Sequence, residues 1–184
     1  MAAYGFEKKH FWGKEFLFKV YMLTLMIPGQ VTMIPVFIIM KKLGLLNTYF
    51  ALVVIILNAF GVFLIRQFME SVPDELLEAA KVDGCPEYKI FINIVIPLIK
   101  PVLVSLVVFT FVTSWNDFMW PLVSTTDSSM YTLTVALSLL KTQYQTNYGL
   151  ILAGATVSFI FPFILYAFLQ KQFVEGIALS GVKG

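Results

Sequence analysis

The sequence predicts an all-α protein: a polytopic transmembrane helix bundle of four spans with one short helix on the cytoplasmic side. Two observations predict this fold. Of the 184 residues, 59% are hydrophobic and only 13% are charged, whereas soluble globular domains have about one quarter of their residues charged. The apolar residues are also gathered into four long segments. Each should be a helix, because an open strand cannot satisfy its backbone hydrogen bonds in lipid.

The four segments are long and apolar enough to cross a bilayer, for which a helix needs about 20 residues. The first extends from about Phe16 to Met40 and the second from about Thr48 to Ile65. The third extends from about Pro101 to Leu122 and the fourth from about Tyr148 to Leu169. No repeat or change of composition separates them, so residues 1–184 are predicted to form one transmembrane domain.

The basic residues predict the orientation, because Lys and Arg accumulate in cytoplasmic loops. With both termini and the 66–100 region on one side, ten of the thirteen basic residues share that side. The other three are Lys41, Lys42 and Lys141. Both termini are therefore expected to be cytoplasmic. Trp115, Phe118 and Trp120 agree with this orientation, since aromatic residues are enriched at interfaces and these three end the third span.

The outer connection between the third and fourth spans covers residues 123–147. It contains an apolar stretch, Tyr131 to Leu140, that is too short to cross a bilayer. A surface or re-entrant helix is expected there.

Residues 66–89 form a charged island between the second and third spans. Nine of these positions are charged, six acidic and three basic. The island has the pattern of a helix from Pro73 to Asp83, with Ser71 as the N-cap and Gly84 as the C-terminal stop. Such a helix is marginal alone in water and needs a surface to pack on.

The predicted helix offers groups for such a surface. Leu76 and Leu77 supply apolar anchors, while Ala79 and Ala80 let a backbone approach closely. The acidic side chains could meet basic groups on a partner. The alternative interpretation is a solvated loop that merely joins two spans.

After Gly84 an amphipathic helix is predicted, ending near Pro97. Its apolar face is expected to comprise Tyr88, Phe91, Ile92, Val95 and Ile96. Pro97 and Pro101 would then redirect the chain into the third span. The island would thus be joined to the third span through a rigid, bent helical segment.

Other functional classes find little support. The single cysteine, Cys85, and the single histidine, His10, lack the companions of a metal site or a nucleophilic triad. No catalytic or metal-binding residue is therefore expected, nor an enzyme. The net charge of +2 does not indicate nucleic acid.

The stretch EAAKVDGCPEYKIFINIVIP resembles the EAA signature of ABC-importer permease subunits. The matching residues are Glu78, Ala79, Ala80, Gly84, Ile94 and Pro97, with Ile96 in place of the usual leucine. Three further stretches, MIPGQVTMIP, SWNDFMWPL and FVEGIALSGVKG, are similar to the carbohydrate-importer branch, the maltose-type, binding-protein-dependent permeases.

This resemblance implies that the 73–84 helix is a coupling helix seated in a separate ATPase subunit. The residues it assigns to that docking site are Leu76, Glu78, Ala79, Ala80, Asp83, Gly84 and Pro97. It implies two ATPase copies, a second permease subunit, an extracytoplasmic solute-binding protein, a sugar substrate and a bacterial-type inner membrane. ATP would be used by the ATPase, and no cofactor would be bound by this chain.

Permeases of this kind usually have six spans, and the chain begins at a stretch similar to the one after their second span. The first two spans are therefore expected to be absent, by truncation, a mis-called start or fragmentation. A non-transporting assembly subunit is one alternative. A self-contained secondary transporter or channel is another, but the spans hold few charges for coupling to ions.

Three polar residues are candidates for lining a translocation pathway. Gln30 lies at an interruption of the first span, and Asn116 and Asp117 lie at the outer end of the third. Polar groups at membrane depth are functional candidates. Asn116 and Asp117 could equally be solvated helix ends, and the interruption near Gln30 could be a proline kink.

Overall fold

The computed structural model of the protein describes residues 1–140 and 148–181. Every regular element in these ranges is helical, as the sequence predicted, and none is a strand. The α-helices are α1 Ala2–Lys8, α2 Lys14–Leu23, α3 Gly29–Lys42, α4 Tyr49–Val54, α5 Ala59–Met69, α6 Asp74–Val82, α7 Glu87–Ile90, α8 Ile96–Leu98, α9 Lys100–Trp115, α10 Met119–Ser124, α11 Leu133–Leu139 and α12 Tyr148–Gly181. A π-helical turn, Phe91–Val95, joins α7 to α8, and 3₁₀ turns occupy Thr24–Met26 and Ser128–Met130.

The chain divides into two compact units. The first unit comprises residues 1–26 and 58–107 with the C-terminal end of α12. The second unit comprises residues 27–57 and 108–169. The charged island belongs to the first unit, and the three candidate pathway residues belong to the second.

One helix among the described residues is long and apolar enough to cross a membrane unbroken. It is the 21-residue stretch Tyr148–Phe168 of α12, which agrees with the predicted fourth span. Two bent pairs of helices also meet the criteria when each is taken as one span: Lys14–Met26 with Gly29–Lys42, and Glu87–Leu98 with Lys100–Trp115. By length and composition the described chain therefore has between one and three spans.

The expectation of one continuous helix over residues 48–65 is wrong. The Thr48 hydroxyl oxygen accepts the N–H of Ala51 at 3.2 Å and caps α4, which ends at Val54. The Asn58 side-chain oxygen then accepts the N–H of Gly61 at 3.3 Å and caps α5. Each N-cap starts a new helix, because it satisfies a backbone donor that would otherwise lack a partner.

The first and third predicted spans are also interrupted. Pro28 stands at the N-cap of α3, so the first span is broken between Met26 and Gly29. Within the predicted third span, helix α9 ends at Trp115. After a short turn, a second helix, α10, begins at Met119. A proline accounts for the first break, since its ring cannot continue the preceding helical hydrogen bonds.

The first unit has a core made by α1, α5, α6 and the helical segment from α7 to α9. Its buried side chains are Ala3, Tyr4, Met69, Val72, Leu77, Ala80, Ile90, Val95, Ile99 and Val102. The N-terminal helix is thus part of the core rather than a polar flank. It packs chiefly on α5. On α5, Gly61 also lets the side chain of Leu106 in α9 approach closely.

In the second unit Trp120 is buried, with 5% of its surface exposed. Its indole N–H donates to the carbonyl oxygen of Ala51 at 2.9 Å. Trp120 therefore packs inside this unit, and Ala51 of α4 supplies the acceptor that a buried indole N–H needs.

Within the apolar stretch Tyr131 to Leu140 a short helix is present as predicted: it is α11, with Val135 buried. Gly154 of α12 lies against it, because a Cβ atom at this position would come within 2.1 Å of Leu137 Cδ2. The remainder of the predicted outer connection, residues 141–147, lies outside the described residues.

Candidate functional site

Helix α6 lies within the charged island and begins with two acidic residues, Asp74 and Glu75. Negative charge at this end is stabilised by the helix dipole. At the other end the backbone of Gly84 has φ +76, a left-handed conformation that residues other than glycine rarely adopt. The N–H of Cys85 donates to Ala80 O at 3.0 Å and that of Gly84 to Lys81 O at 3.0 Å. These two bonds form a Schellman motif, which confirms the predicted stop at Gly84.

The beginning of α6 differs from the prediction. The helix comprises nine residues, Asp74–Val82, and its N-cap position is occupied by Pro73 without a side-chain cap. Ser71 is not the N-cap: its hydroxyl donates to the carbonyl oxygen of Phe68 at 2.7 Å. The serine therefore helps to end α5 and leaves the first amides of α6 uncapped by a side chain.

The two sides of α6 have different environments. Leu77 and Ala80 are 4% and 7% exposed and belong to the core of the first unit. Leu76 is 46% exposed and Val82 87%, and Ala79 is exposed between them. Positions three apart share a face of a helix, so Leu76, Ala79 and Val82 form an outward apolar strip.

The expectation that Leu77 and Ala80 are open to a partner is therefore wrong. Both side chains face the core of the same chain, on a stripe of the helix beside the exposed one that carries Leu76 and Ala79.

The outward strip is accompanied by exposed acidic side chains, namely those of Glu75, Glu78 and Asp83. No ion pair joins these three carboxylates to a basic side chain within the described part of the chain. Asp83 is the C-cap residue, and its N–H donates to Ala79 O at 3.0 Å. The exposed side of α6 therefore combines apolar contact area with negative charge.

The entry to α6 is held by Lys8 at the end of α1. Its side chain is 6% exposed, and its ammonium group donates to Val72 O at 2.6 Å and to Asp74 Oδ1 at 2.8 Å. The hydrogen bond from Lys8 lowers the pKa of the Asp74 carboxyl below its usual value, with a smaller contribution from the charge of the lysine.

The segment that follows α6 is held by Tyr4 and Lys9. The Tyr4 hydroxyl and the Lys9 ammonium both donate to Oε1 of Glu87. These bonds, chiefly the one from Lys9, lower the pKa of Glu87. Burial, followed by the bond to Glu87, raises the pKa of the Tyr4 phenol well above its usual range. The Tyr4 ring also packs on Phe91, with centroids 5.1 Å apart.

These contacts were missed at the sequence level. Two signals were available: the adjacent lysines at the N-terminus and the excess of acidic residues in the island. Lys8 and Asp74 are separated by 66 positions, however, and no local pattern shows which lysine meets which carboxylate.

Arg66 fixes α1 to α5. Its Nε donates to Glu7 Oε2 at 2.9 Å and its Nη2 to Glu15 Oε1 at 3.4 Å. The guanidinium also lies 3.7 Å from the centroid of the Phe18 ring, within the distance of a cation–π contact. The helix that carries Lys8 is therefore itself anchored.

The segment after Glu87 is helical as predicted, and its buried residues coincide only in part with the predicted apolar face, which included Val95. Tyr88 and Ile92 are 62% and 54% exposed, whereas Ile90, Val95 and Ile99 are 1–2% exposed. The prediction assumed 3.6 residues per turn. In the π turn the N–H of Ile96 donates to Phe91 O, five residues back, which changes the register of the buried positions.

Pro97 follows this turn, within α8, and is exposed. A proline ring clashes with the carbonyl four residues earlier, and a π turn just before it relieves such a clash. Pro97 thus redirects the chain towards α9, which begins at Lys100.

The three candidate pathway residues lie in the second unit. Gln30 is exposed in the first turn of α3. Asn116 is exposed, and its side-chain amide donates to Val112 O at 2.8 Å. Asp117 is half-buried: its Oδ1 accepts the N–H of Trp120 at 3.5 Å, and its carbonyl accepts the Thr134 hydroxyl at 2.9 Å. No hydrogen bond among the described residues joins Gln30 to Asn116 or Asp117.

Comparisons with known proteins match nearly the whole chain. The family described as "binding-protein-dependent transport system inner membrane component" matches residues 1–178. The arabinooligosaccharides transport system permease protein AraQ of Halalkalibacterium halodurans is 40% identical over 185 residues, covering 100% of this chain and 66% of that protein. The lactose transport system permease protein LacG of Rhizobium radiobacter is 36% identical, covering 100% and 67%.

A third relative is the sn-glycerol-3-phosphate transport system permease protein UgpE of Yersinia pestis, 34% identical over 98% of this chain. Among solved structures, a bacterial ABC transporter that imports the acidic polysaccharide alginate is similar, with a TM-score of 0.79 and 27% identity. That similarity covers 93% of this chain and 66% of the other. The chain thus spans about two thirds of the length of the curated relatives it matches.

Proposed function

This chain belongs to the family of binding-protein-dependent transport system inner membrane components, and on that premise we propose that it is the membrane-spanning permease subunit of an ATP-driven sugar importer. The chain itself hydrolyses nothing. Its α6 docks on a separate ATPase subunit, and movement of that subunit changes the access of the pathway between the two sides of the membrane.

The observation that carries this proposal is the exposed side of α6. Leu76 and Ala79 offer an apolar strip beside the carboxylates of Glu75 and Glu78. This helix is too short to be stable by itself, yet its buried side and both flanks are held by the same unit. A short, fixed helix with a mixed apolar and acidic outer surface suits insertion into a cleft of another protein.

The path from α6 to the membrane is short and helical. The chain passes from Gly84 through α7, the π turn and α8 into α9, with Ile90, Val95 and Ile99 buried in the common core. A displacement of α6 therefore reaches α9 through packed helices. A solvated loop would not bury Leu77 and Ala80 of α6 in the core of the unit, so their burial speaks against the loop interpretation.

The names of the relatives support a substrate class. Proteins named for transport of arabinooligosaccharides, lactose and glycerol 3-phosphate are each at least 34% identical to this chain. We propose a sugar, delivered by an extracytoplasmic solute-binding protein. Gln30, Asn116 and Asp117 are proposed to contact the pathway, because their polar side chains lie at the ends or breaks of the apolar helices.

The assembly we propose contains two ATPase subunits and a second permease subunit beside this chain. ATP binds to the ATPase subunits, and this chain holds no cofactor. The location is a bacterial-type inner membrane, in contact with lipid, with both termini and α6 on the cytoplasmic side.

The test is sugar uptake into liposomes, with radiolabelled arabinotriose and lactose as the probes. We expect uptake only when the chain is reconstituted with its ATPase, its partner permease, the binding protein and ATP. Uptake by the chain alone, without nucleotide, would contradict the proposal and support a secondary transporter or channel. Assembly with the ATPase but no uptake of either sugar would support a non-transporting subunit.

A further inference from the structure

The contact between Lys8 and the entry of α6 differs from an ordinary surface ion pair. The lysine side chain is 6% exposed, whereas that of Asp74 is 70% exposed. A buried ammonium group is unfavourable unless it is paired and hydrogen-bonded. Lys8 meets both conditions, since its Nζ donates to Asp74 Oδ1 and to the backbone carbonyl of Val72.

A second contact holds the other flank of α6. Tyr4, 6% exposed, and Lys9 both donate to the Glu87 carboxylate at the start of α7. Lys9 Nζ also lies 5.1 Å from the centroid of the Tyr4 ring. Residues of α1 and its C-cap therefore contact the chain at the start of α6, at Val72 and Asp74, and again after α6, at Glu87. The segments on both sides of α6 are thus fixed to the N-terminal helix.

Helix α1 is in turn anchored to α5 through Arg66, whose Nε donates to Glu7. In contrast, α6 buries only Leu77 and Ala80 among its own residues. These two side chains fix one face of the helix in the core. Lys8 adds a restraint at the first residue of α6 and Lys9 adds one at Glu87, beyond the other end of α6, so the two contacts together oppose rotation of α6 about its axis.

We propose that Lys8 and Lys9 are positioning residues for coupling: α1 holds α6 at the rotation that presents Leu76 and Ala79 outwards, so that force applied to α6 is passed to α5 and α9. This inference rests on the proposed function. It assigns to the N-terminal helix a part in energy transfer, in addition to its packing in the core.

The first test measures position directly and needs no partner protein. Cys85 is exposed and is the only cysteine of the chain, so it can carry one spin label. A second label is placed by Gly5→Cys, where an added Cβ meets no atom within 4 Å. Pulsed EPR on the purified chain then gives the distribution of distances between α1 and the end of α6.

We expect a single narrow distribution for the parent chain and a broader one after Lys8→Gln and Lys9→Gln together. Lys14→Gln is the matched control, because the Lys14 ammonium contacts Glu7 O and not the island. With Lys8 intact, Lys9→Glu alone should also broaden the distribution, and Lys9→Glu together with Glu87→Lys should restore it, since the Tyr4 hydroxyl can also accept a hydrogen bond. An unchanged distribution in the Lys8→Gln, Lys9→Gln variant would overturn the proposal.

The second test measures coupling in the complete transporter in liposomes. The Lys8→Gln, Lys9→Gln variant should retain the parent amount of ATPase but move about fivefold less sugar per ATP hydrolysed, the lower end of coupling between sites. With Lys8 intact, Lys9→Glu should also lower this ratio, and adding Glu87→Lys should recover it, which a merely destabilised fold would not. An unchanged ratio would overturn the proposal. If the parent chain binds no ATPase, the proposed function fails, while the EPR result still decides whether α1 positions α6.

Discussion

The ammonium of Lys8 lies 2.8 Å from Oδ1 of Asp74, across 66 positions of sequence. This contact joins the N-terminal helix to the first residue of α6, the helix that carries the proposed docking surface. It shows that part of the acidic island is neutralised within the chain. The acidic groups that remain for a partner are those on the outer side of α6, including Glu75 and Glu78.

Gly84→Val should weaken ATPase binding without preventing insertion. Gly84 has φ +76, and an added Cβ would meet nothing within 4 Å, so the penalty comes from the backbone. A left-handed conformation costs a non-glycine residue about 1–2 kcal/mol, and the end of α6 should unwind. Gly84→Asn is the control, because asparagine tolerates this conformation. The amounts of chain in the membrane and of ATPase retained in detergent are measured. Equal retention by the Val and parent chains would refute the docking assignment.

Glu78→Lys should lower the affinity for the ATPase by about fivefold, since an exposed ion pair contributes up to about 1 kcal/mol. Glu70→Lys is the matched control: it makes the same change of charge at an exposed residue just after α5, outside α6. Affinity is measured by titrating the labelled chain with purified ATPase. If both substitutions weaken binding equally, overall charge is responsible and α6 has no special part.

Acid should release the contact between Lys8 and Asp74. Because the pKa of Asp74 is lowered in the folded chain, its contribution to stability is present above its unfolded pKa, about 4. That contribution is lost as the pH falls through the folded value. Thermal unfolding of the parent and of Asp74→Asn is followed from neutral pH to about pH 3. The variant should be less stable at neutral pH, and the two curves should converge in acid. A difference that stays constant with pH would show that the charge of Asp74 is not responsible.

Cys85 should react with impermeant maleimide in inside-out vesicles and not in intact cells. Its side chain is exposed, and the proposed orientation places it in the cytoplasm. The control is Ser129→Cys in a chain whose Cys85 is replaced by serine. Ser129 is exposed after α10, and its replacement should be labelled in intact cells. The reverse pattern would invert the topology.

Trp120→Phe should destabilise the second unit by about 1–3 kcal/mol, because the carbonyl of Ala51 loses its indole donor in a buried site. Trp12→Phe is the control, since Trp12 is 98% exposed and should change stability little. Thermal unfolding in detergent is the measurement. Equal melting of the two variants would indicate that water replaces the lost donor.

Much of the local structure could be predicted from sequence. The stop at Gly84 was predictable because a glycine that follows a run of helix formers satisfies the last carbonyls through its own backbone conformation. The long apolar helix from Tyr148 was predictable from its length and composition alone. The stop at Gly84 depends on hydrogen bonds between residues a few positions apart. The long apolar helix depends on how its side chains interact with the surrounding solvent or lipid.

The buried face of the segment after Glu87 could not be predicted in the same way. A constant period of 3.6 residues placed Tyr88 and Ile92 on the same face as Val95, whereas with the π turn before Pro97 it is Ile90 that is buried together with Val95. The break within residues 48–65 was missed for a related reason. Thr48 and Asn58 are common N-caps, but a polar residue in an apolar run shows only that a helix can start there.

The sequence by itself determined that the chain is helical and membrane-embedded, and that a short helix ends at Gly84 between two apolar regions. Composition, periodicity and backbone preference act locally, so they can be read along the chain. Only the tertiary structure decided that Ala80 faces inwards, that Trp120 is buried and that Lys8 holds Asp74. Those outcomes depend on which distant segments pack together, and many pairings of lysine and carboxylate are compatible with the same local sequence.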